Sequence, residues 1–220
     1  MSLPEINAQT IRNAIIFLIA LILSIAVHEF GHAFVADRLG DRLPRSQGRV
    51  TLNPLEHIDI IGTIVMPLMI AFTGAALLGW GKPVQTNPAA YTRRLRMKTG
   101  HLLVAAAGPF MNLVLALVVT LALFIYTHVA TVSPHIDFVI RTLIELNITL
   151  MFFNLLPLPP LDGGTVLRGL LPDRYEHYMD PLDTYGGFIL LALVFTRAIN
   201  HILGPVMYVT LQWYHLWGLA

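Results

Sequence analysis

Apolar positions along this chain fall in long runs separated by short polar connectors, at residues 12–36, 60–80, 101–126, 136–156, 185–203 and 205–218. A helix needs about 20 mostly apolar residues to cross the hydrocarbon core of a bilayer. Residues 12–36, 101–126, 136–156 and 185–203 therefore read as membrane helices. The shorter, aromatic-rich run 205–218 brings the number to about five. The run 60–80 is interrupted by Gly62, Pro67, Gly74 and Gly79. Such broken backbone suits a re-entrant segment shielded by protein. Only Gly48-Arg49-Val50-Thr51-Leu52 alternates with a period of two, which predicts a short strand-like element near 48–52 before the turn at Asn53-Pro54. The expected fold is an all-α polytopic membrane protein forming one domain over 1–220, with its core at about 12–170 and C-terminal membrane helices within 185–218.

Composition strengthens that reading. The chain is 55% hydrophobic and 12% charged, with mean hydropathy +0.67. Soluble domains carry about 25% charged residues. A net charge of +1 over 220 residues offers no footprint for nucleic acid. The absence of cysteine excludes disulfides and thiolate chemistry. The first apolar run has no small-residue cleavage pattern and leads straight into His28-Glu29, so it reads as a retained span. Arg and Lys cluster in the connectors 37–59 and 81–100 and are missing from 127–137. The positive-inside rule places both basic connectors in the cytoplasm. The first span then runs inward, and 60–80 enters and leaves on one side; the alternative is a plain span with one connector breaking the charge rule.

The chemistry centres on His28-Glu29-Phe30-Gly31-His32. Two histidines at i and i+4 share one helical face and can hold a single zinc ion, while the adjacent Glu can take a proton from water. Ionisable groups inside a span cost about 2.5–3.5 kcal/mol each on insertion scales, so three together call for a purpose. The bland alternative is polar capping of the helix end. A catalytic zinc site has three protein ligands and an open position. A third His six residues on is excluded, because that position is Arg38. Glu56, Glu145, His57, His101 and Asp162 remain. Asp162 stands out because it follows an apolar span halted by Pro157, Pro159 and Pro160 and precedes Gly163-Gly164. The proline cluster stops the helix and the glycine pair permits a sharp turn. From the residues alone, Asp162 is either a ligand facing a cavity or a turn residue at the membrane surface.

Three separated stretches, His28 to His32, Ala107-Gly108-Pro109-Phe110-Met111-Asn112 and Asn154 to Gly164, resemble the site-2 protease family of intramembrane zinc metalloproteases, peptidase family M50. The order and setting match over about residues 12–170. Leu52-Asn53-Pro54-Leu55-Glu56-His57-Ile58-Asp59 and Gly79-Trp80-Gly81-Lys82-Pro83-Val84 are similar to the compact prokaryotic form without PDZ or CBS domains. The resemblance implies one Zn2+ held by His28, His32 and Asp162, with Glu29 as general base. It also implies a membrane-protein substrate with a transmembrane helix and residence in a prokaryotic cell membrane; the basic connectors put the active site toward the cytoplasm.

Other residues carry expectations with alternatives. Ala105 to Gly108 is a small-residue face suited to close helix packing. Asn112 supports the site or holds substrate backbone. Asn154 donates to a developing oxyanion or satisfies carbonyls freed by Pro157. His57 is an accessory ligand or a loop histidine. The segment 48–52 is expected to grip an unwound substrate by β-addition. A metal-ion transporter and a non-catalytic zinc-binding scaffold are the competing functional classes.

Overall fold

The computed structural model describes residues 7–73 and 79–219, the side chains of 70–73 excepted. The described residues are mostly helical, with no strand. Helix α1 (Ala8–Arg38) begins where the Asn7 side chain accepts from the Thr10 amide at 2.9 Å. It ends at Leu39, followed by Gly40 at φ 109, a left-handed angle that favours glycine. A short α2 (Leu43–Ser46), a 3-10 turn at Pro54–Glu56, and a π-helical turn Ile60–Val65 running into α3 (Met66–Thr73) follow. The long α4 (Met97–Val129) carries Pro109 inside it, and α5 (Pro134–Asn154) starts at a Ser133 cap with Pro134 in its first turn. Then come α6 (Asp162–Leu170), a 3-10 segment Asp173–Met179, α7 (Asp180–Phe195) and α8 (Ala198–Leu216).

Two helices, α1 and α4, are long and apolar enough to cross a membrane. At 31 and 33 residues, they exceed the roughly 30 Å hydrocarbon core by about half. A third crossing arises if the bent pair from Asp173 to Leu216 counts as one span. The single expected span 185–203 is not one helix. Thr196 turns its hydroxyl back to the Ala192 carbonyl, Arg197 adopts φ 60, and the chain bends by 77° before α8. A hydroxyl bonded back to the i−4 carbonyl and a left-handed residue together end a helix. Helix α8 then passes through Pro205, where the sequence suggests a boundary. Helix α5 is 21 residues long but includes Asp137, Arg141 and Glu145.

Helix α4 lies at the centre, packed by α1, α5 and α6. Its small-residue face permits close approach. A Cβ added at Gly31 of α1 would stand 2.6 Å from the Ala107 carbonyl oxygen. A second apolar cluster joins α4, α5 and α8 through Leu123, Ile144, Ile148, Val206 and Tyr214. Large side chains such as Ile15, Ile19, Val118, Ile125, Phe188 and Phe195 remain exposed. Apolar exposure on that scale is costly in water and fits a lipid environment.

The expected strand at 48–52 is absent. Gly48 sits at φ 71, Val50 and Thr51 lie in bends, and no neighbouring backbone pairs with them. Arg49 instead turns inward, is 5% exposed, and donates to the Glu56 and Lys82 carbonyls. A strand requires a partner, and here the neighbouring carbonyls are taken by the guanidinium. Segment 60–80 returns beside its own start: the Trp80 amide donates to the Gly62 carbonyl at 3.0 Å, and the Thr63 hydroxyl to the Trp80 carbonyl at 2.8 Å. Its tip, 74–78, lies outside the described residues.

From Gly79 to Asn87 the chain is an extended strap. Its Lys82 amide is held by the His57 carbonyl at 2.9 Å and its Asn87 amide by Asp41 at 2.6 Å. Asp41 also caps the Leu43 amide, and Asp37 receives Arg45 at 2.7 Å, so the strap and α2 are tied to the end of α1. Asp37 raises the Arg45 guanidinium above its ordinary pKa. Arg168 of α6 pairs with Glu176, Asp180 and Asp183, which fixes α6 to the segment leading into α7.

Candidate metal centre

His28 and His32 lie one turn apart on the face of α1 that meets α4, because a helix repeats every 3.6 residues. Their rings meet edge to face at an interplanar angle of 83°, with Nε2 atoms 3.0 Å apart. Asp162 arrives from the first turn of α6. Its carboxylate oxygens stand 3.1 Å from His28 Nε2 and 3.4 Å from His32 Nε2. Among the described residues these three form a group that can hold a metal ion.

The far ring nitrogens determine what the near ones offer. His32 Nδ1 is 2.7 Å from the Val104 carbonyl oxygen, which can only accept, so Nδ1 carries the proton and donates. His28 Nδ1 donates to Asn112 Oδ1 at 2.7 Å. With Nδ1 engaged on each ring, the two Nε2 atoms are left facing each other and the Asp162 carboxylate. Asp162 Oδ2 is buried without a hydrogen-bond partner. A metal ion shared by the two Nε2 atoms and the carboxylate would satisfy all three at once. Ligand atoms about 2.0–2.1 Å from a tetrahedral zinc lie about 3.3 Å apart, close to the separations seen here. The residues fit zinc, and the rings are oriented by partners behind them, as metal-ligating histidines generally are.

Gly108 makes the arrangement sterically feasible. A Cβ there would overlap the His32 ring and come within 2.6 Å of His28 Nε2. Helix packing alone accounts for its neighbours, but Gly108 also supplies room for two imidazoles. The glycine pair after Asp162 acts differently from the expected flexible turn. Neither glycine has a positive φ, and both belong to α6. A Cβ at Gly163 would strike the Leu155 and Leu156 carbonyls, and one at Gly164 would lie 2.7 Å from Pro159 N. Their bareness seats the start of α6 against the proline-rich end of α5. Asp162 thereby sits in the first turn of a helix, where the macrodipole favours a negative charge.

Glu29 faces a cavity of about 580 Å³ lined also by His28, His32, Asp162, Asn154, Trp80, Val84 and His101. One carboxylate oxygen, Oε2, accepts from the Val84 amide of the strap at 3.0 Å. Asn154 reaches the same cavity while its Nδ2 donates to the Leu150 carbonyl at 3.0 Å within its own helix. Asn112 is fully buried behind His28 and lies off the cavity. His57 also stays outside the cavity. It is 1% exposed, and its Nε2 donates to the Thr51 carbonyl at 2.9 Å. The sequence reading did not single out Ser24, Asn147 or Asp41. A lone Asn in the apolar stretch of α5 was the available signal for Asn147.

A helix-borne His-Glu-x-x-His motif joined by a distant carboxylate, opening on a cavity, defines a metallopeptidase-type centre. The chain matches the pattern of Peptidase family M50 over residues 16–133 and 125–195, and it belongs to that family. It is a zinc metalloprotease by family and by relatives. YwhC of Bacillus subtilis (strain 168) is 36% identical over 194 residues, covering 86% of this chain and 84% of its own length. Rip2 of Mycolicibacterium smegmatis is 33% identical over 209 residues, covering 90% and 76%. Both carry a provisional zinc-metalloprotease name. The zinc metalloprotease MJ0392 of Methanocaldococcus jannaschii is 26% identical over 173 residues, covering 79% of this chain and 39% of that protein. No solved structure matches the chain.

Proposed function

We propose that this metalloprotease cuts peptide bonds within or near the transmembrane segments of other membrane proteins, with His28, His32 and Asp162 as zinc ligands and Glu29 as general base. The observation that carries the reading is the placement of the three ligand atoms and Glu29 around one cavity, on helices whose outer faces are apolar. Zinc, when bound, supplies a Lewis acid that polarises a carbonyl and acidifies water. Glu29 takes the proton of the attacking water at its free oxygen, Oε1, and returns it to the leaving amine. The Val84 amide holds the other oxygen and keeps the carboxylate aimed. Asn154, on the cavity wall, donates to the carbonyl oxygen as it gains charge.

A substrate helix must unwind first, because an intact helix hides its amide carbonyls in hydrogen bonds. The strap 79–87 suits the gripping role better than 48–52. Its Trp80, Lys82 and Val84 amides are bound inward, while the Gly81 and Gln85 amides on the alternate edge have no partner among the described residues. An unwound segment adds along that edge by β-addition. In the proposed topology α1 runs toward the cytoplasm, segment 60–80 is re-entrant, and α5 with the α7–α8 pair completes about five membrane helices in a prokaryotic cell membrane. Purified Glu29→Gln protein tests the assignment. It should keep one zinc per chain and lose cleavage of a membrane-helix substrate by about 10²- to 10⁴-fold. Unchanged cleavage by that variant refutes the role of Glu29.

A further inference from the structure

We propose that Asn147, a residue of α5 outside every motif, is a positioning residue for the metal centre, setting the His28 ring through Asn112. The inference rests on the reading of His28, His32 and Asp162 as zinc ligands. Asn112, Asn147 and Ser24 are all fully buried, on α4, α5 and α1 respectively. Asn112 Nδ2 donates to the Ser24 carbonyl at 3.2 Å and to Asn147 Oδ1 at 2.8 Å. Asn147 Nδ2 donates to the Leu143 carbonyl and to Ser24 Oγ, each at 2.8 Å. Ser24 Oγ in turn donates to the Ala20 carbonyl at 2.7 Å.

Every direction in this network is fixed by backbone carbonyls, which can only accept. The Leu143 carbonyl requires the nitrogen of the Asn147 amide on its side, so Oδ1 must face Asn112. The Ser24 carbonyl and that Oδ1 then both demand the nitrogen of the Asn112 amide. Its Oδ1 is thereby turned to His28, where it requires a proton on Nδ1 and leaves Nε2 as the ring nitrogen directed at the metal site. With one acceptor removed, the Asn112 nitrogen keeps only the longer 3.2 Å bond to the Ser24 carbonyl, and the preference for that amide orientation weakens. Buried polar chains of this kind act as units, so a member two bonds away from the ring still governs it.

The test reads zinc affinity by competition with a chromophoric chelator, using the full chain in detergent, alongside helicity and melting temperature. Asn147→Leu removes the acceptor while keeping the branched heavy-atom outline and should weaken zinc binding by about 10- to 100-fold, the usual effect of losing an outer partner. Asn147→Asp, with its buried carboxyl protonated, keeps an acceptor toward Asn112 and a donor toward the Leu143 carbonyl, and should stay within about threefold of the unaltered chain. A role confined to helix packing predicts a lower melting temperature with unchanged zinc affinity in Asn147→Leu, and that result overturns the proposal. Equal losses in both variants also overturn it. Should Asn147→Leu fail to fold, Asn147→Asp decides alone: a loss beyond tenfold refutes the acceptor role. Zinc missing from the unaltered chain would instead defeat the underlying ligand assignment. Zinc binding without cleavage of a membrane-helix substrate would defeat only the intramembrane reading.

Discussion

Gly108→Ala separates the metal site from the helix that carries it. The new methyl would stand 2.6 Å from His28 Nε2, well inside the 3.4 Å at which ordinary contact begins, and would overlap the His32 ring as well. Neither ring can swing aside, since each Nδ1 is tied at 2.7 Å to Asn112 or to the Val104 carbonyl. Overpacking of this kind costs about 1–3 kcal/mol. Zinc–ligand distances tolerate only about 0.2 Å, so the cost falls on coordination and corresponds to about 5- to 150-fold weaker binding. Helix propensity acts in the opposite direction, because alanine favours a helix interior over glycine by about 1 kcal/mol. The zinc-free variant should therefore melt close to the parent while its zinc affinity falls. Chelator competition and thermal melting on the same preparation measure both. Gly187→Ala, where an added Cβ meets nothing within 4 Å, is the control. Parental zinc affinity in Gly108→Ala would refute the claim that Gly108 makes room for the imidazoles.

Two further outcomes are expected. Gly31→Ala places a Cβ 2.6 Å from the Ala107 carbonyl, so α1 and α4 must separate and the melting temperature should drop by the equivalent of about 1–3 kcal/mol. An unchanged melt would show that the interface gives way freely. Val84→Pro removes the amide that holds Glu29 Oε2 and should slow cleavage about tenfold with zinc affinity intact, the size of one hydrogen bond to a charged group. Unaltered turnover would mean that the strap does not aim the carboxylate.

What the sequence determined by itself was local and periodic. Runs of apolar residues marked the long helices α1, α4 and α5, and α-helical geometry alone put His28 and His32 on one face. The prolines before Asp162 marked where α5 must stop, and the motif order carried the family resemblance. Tertiary structure decided the rest, because it depends on segments far apart in the chain meeting in space. It brought Asp162 from α6 to within 3.1–3.4 Å of histidines on α1. It gave Gly108 a steric duty toward rings on another helix, and it linked Asn147 to His28 through Asn112. The alternation at 48–52 misled because a strand exists only with a partner, and Arg49 was drawn to the carbonyls nearby. The strap 79–87 took the place beside Glu29 instead, since its anchors at Asp41, His57 and Gly62 come from three separate parts of the chain. Periodicity is written in neighbouring residues; the distances that make a metal centre are set only when the helices pack.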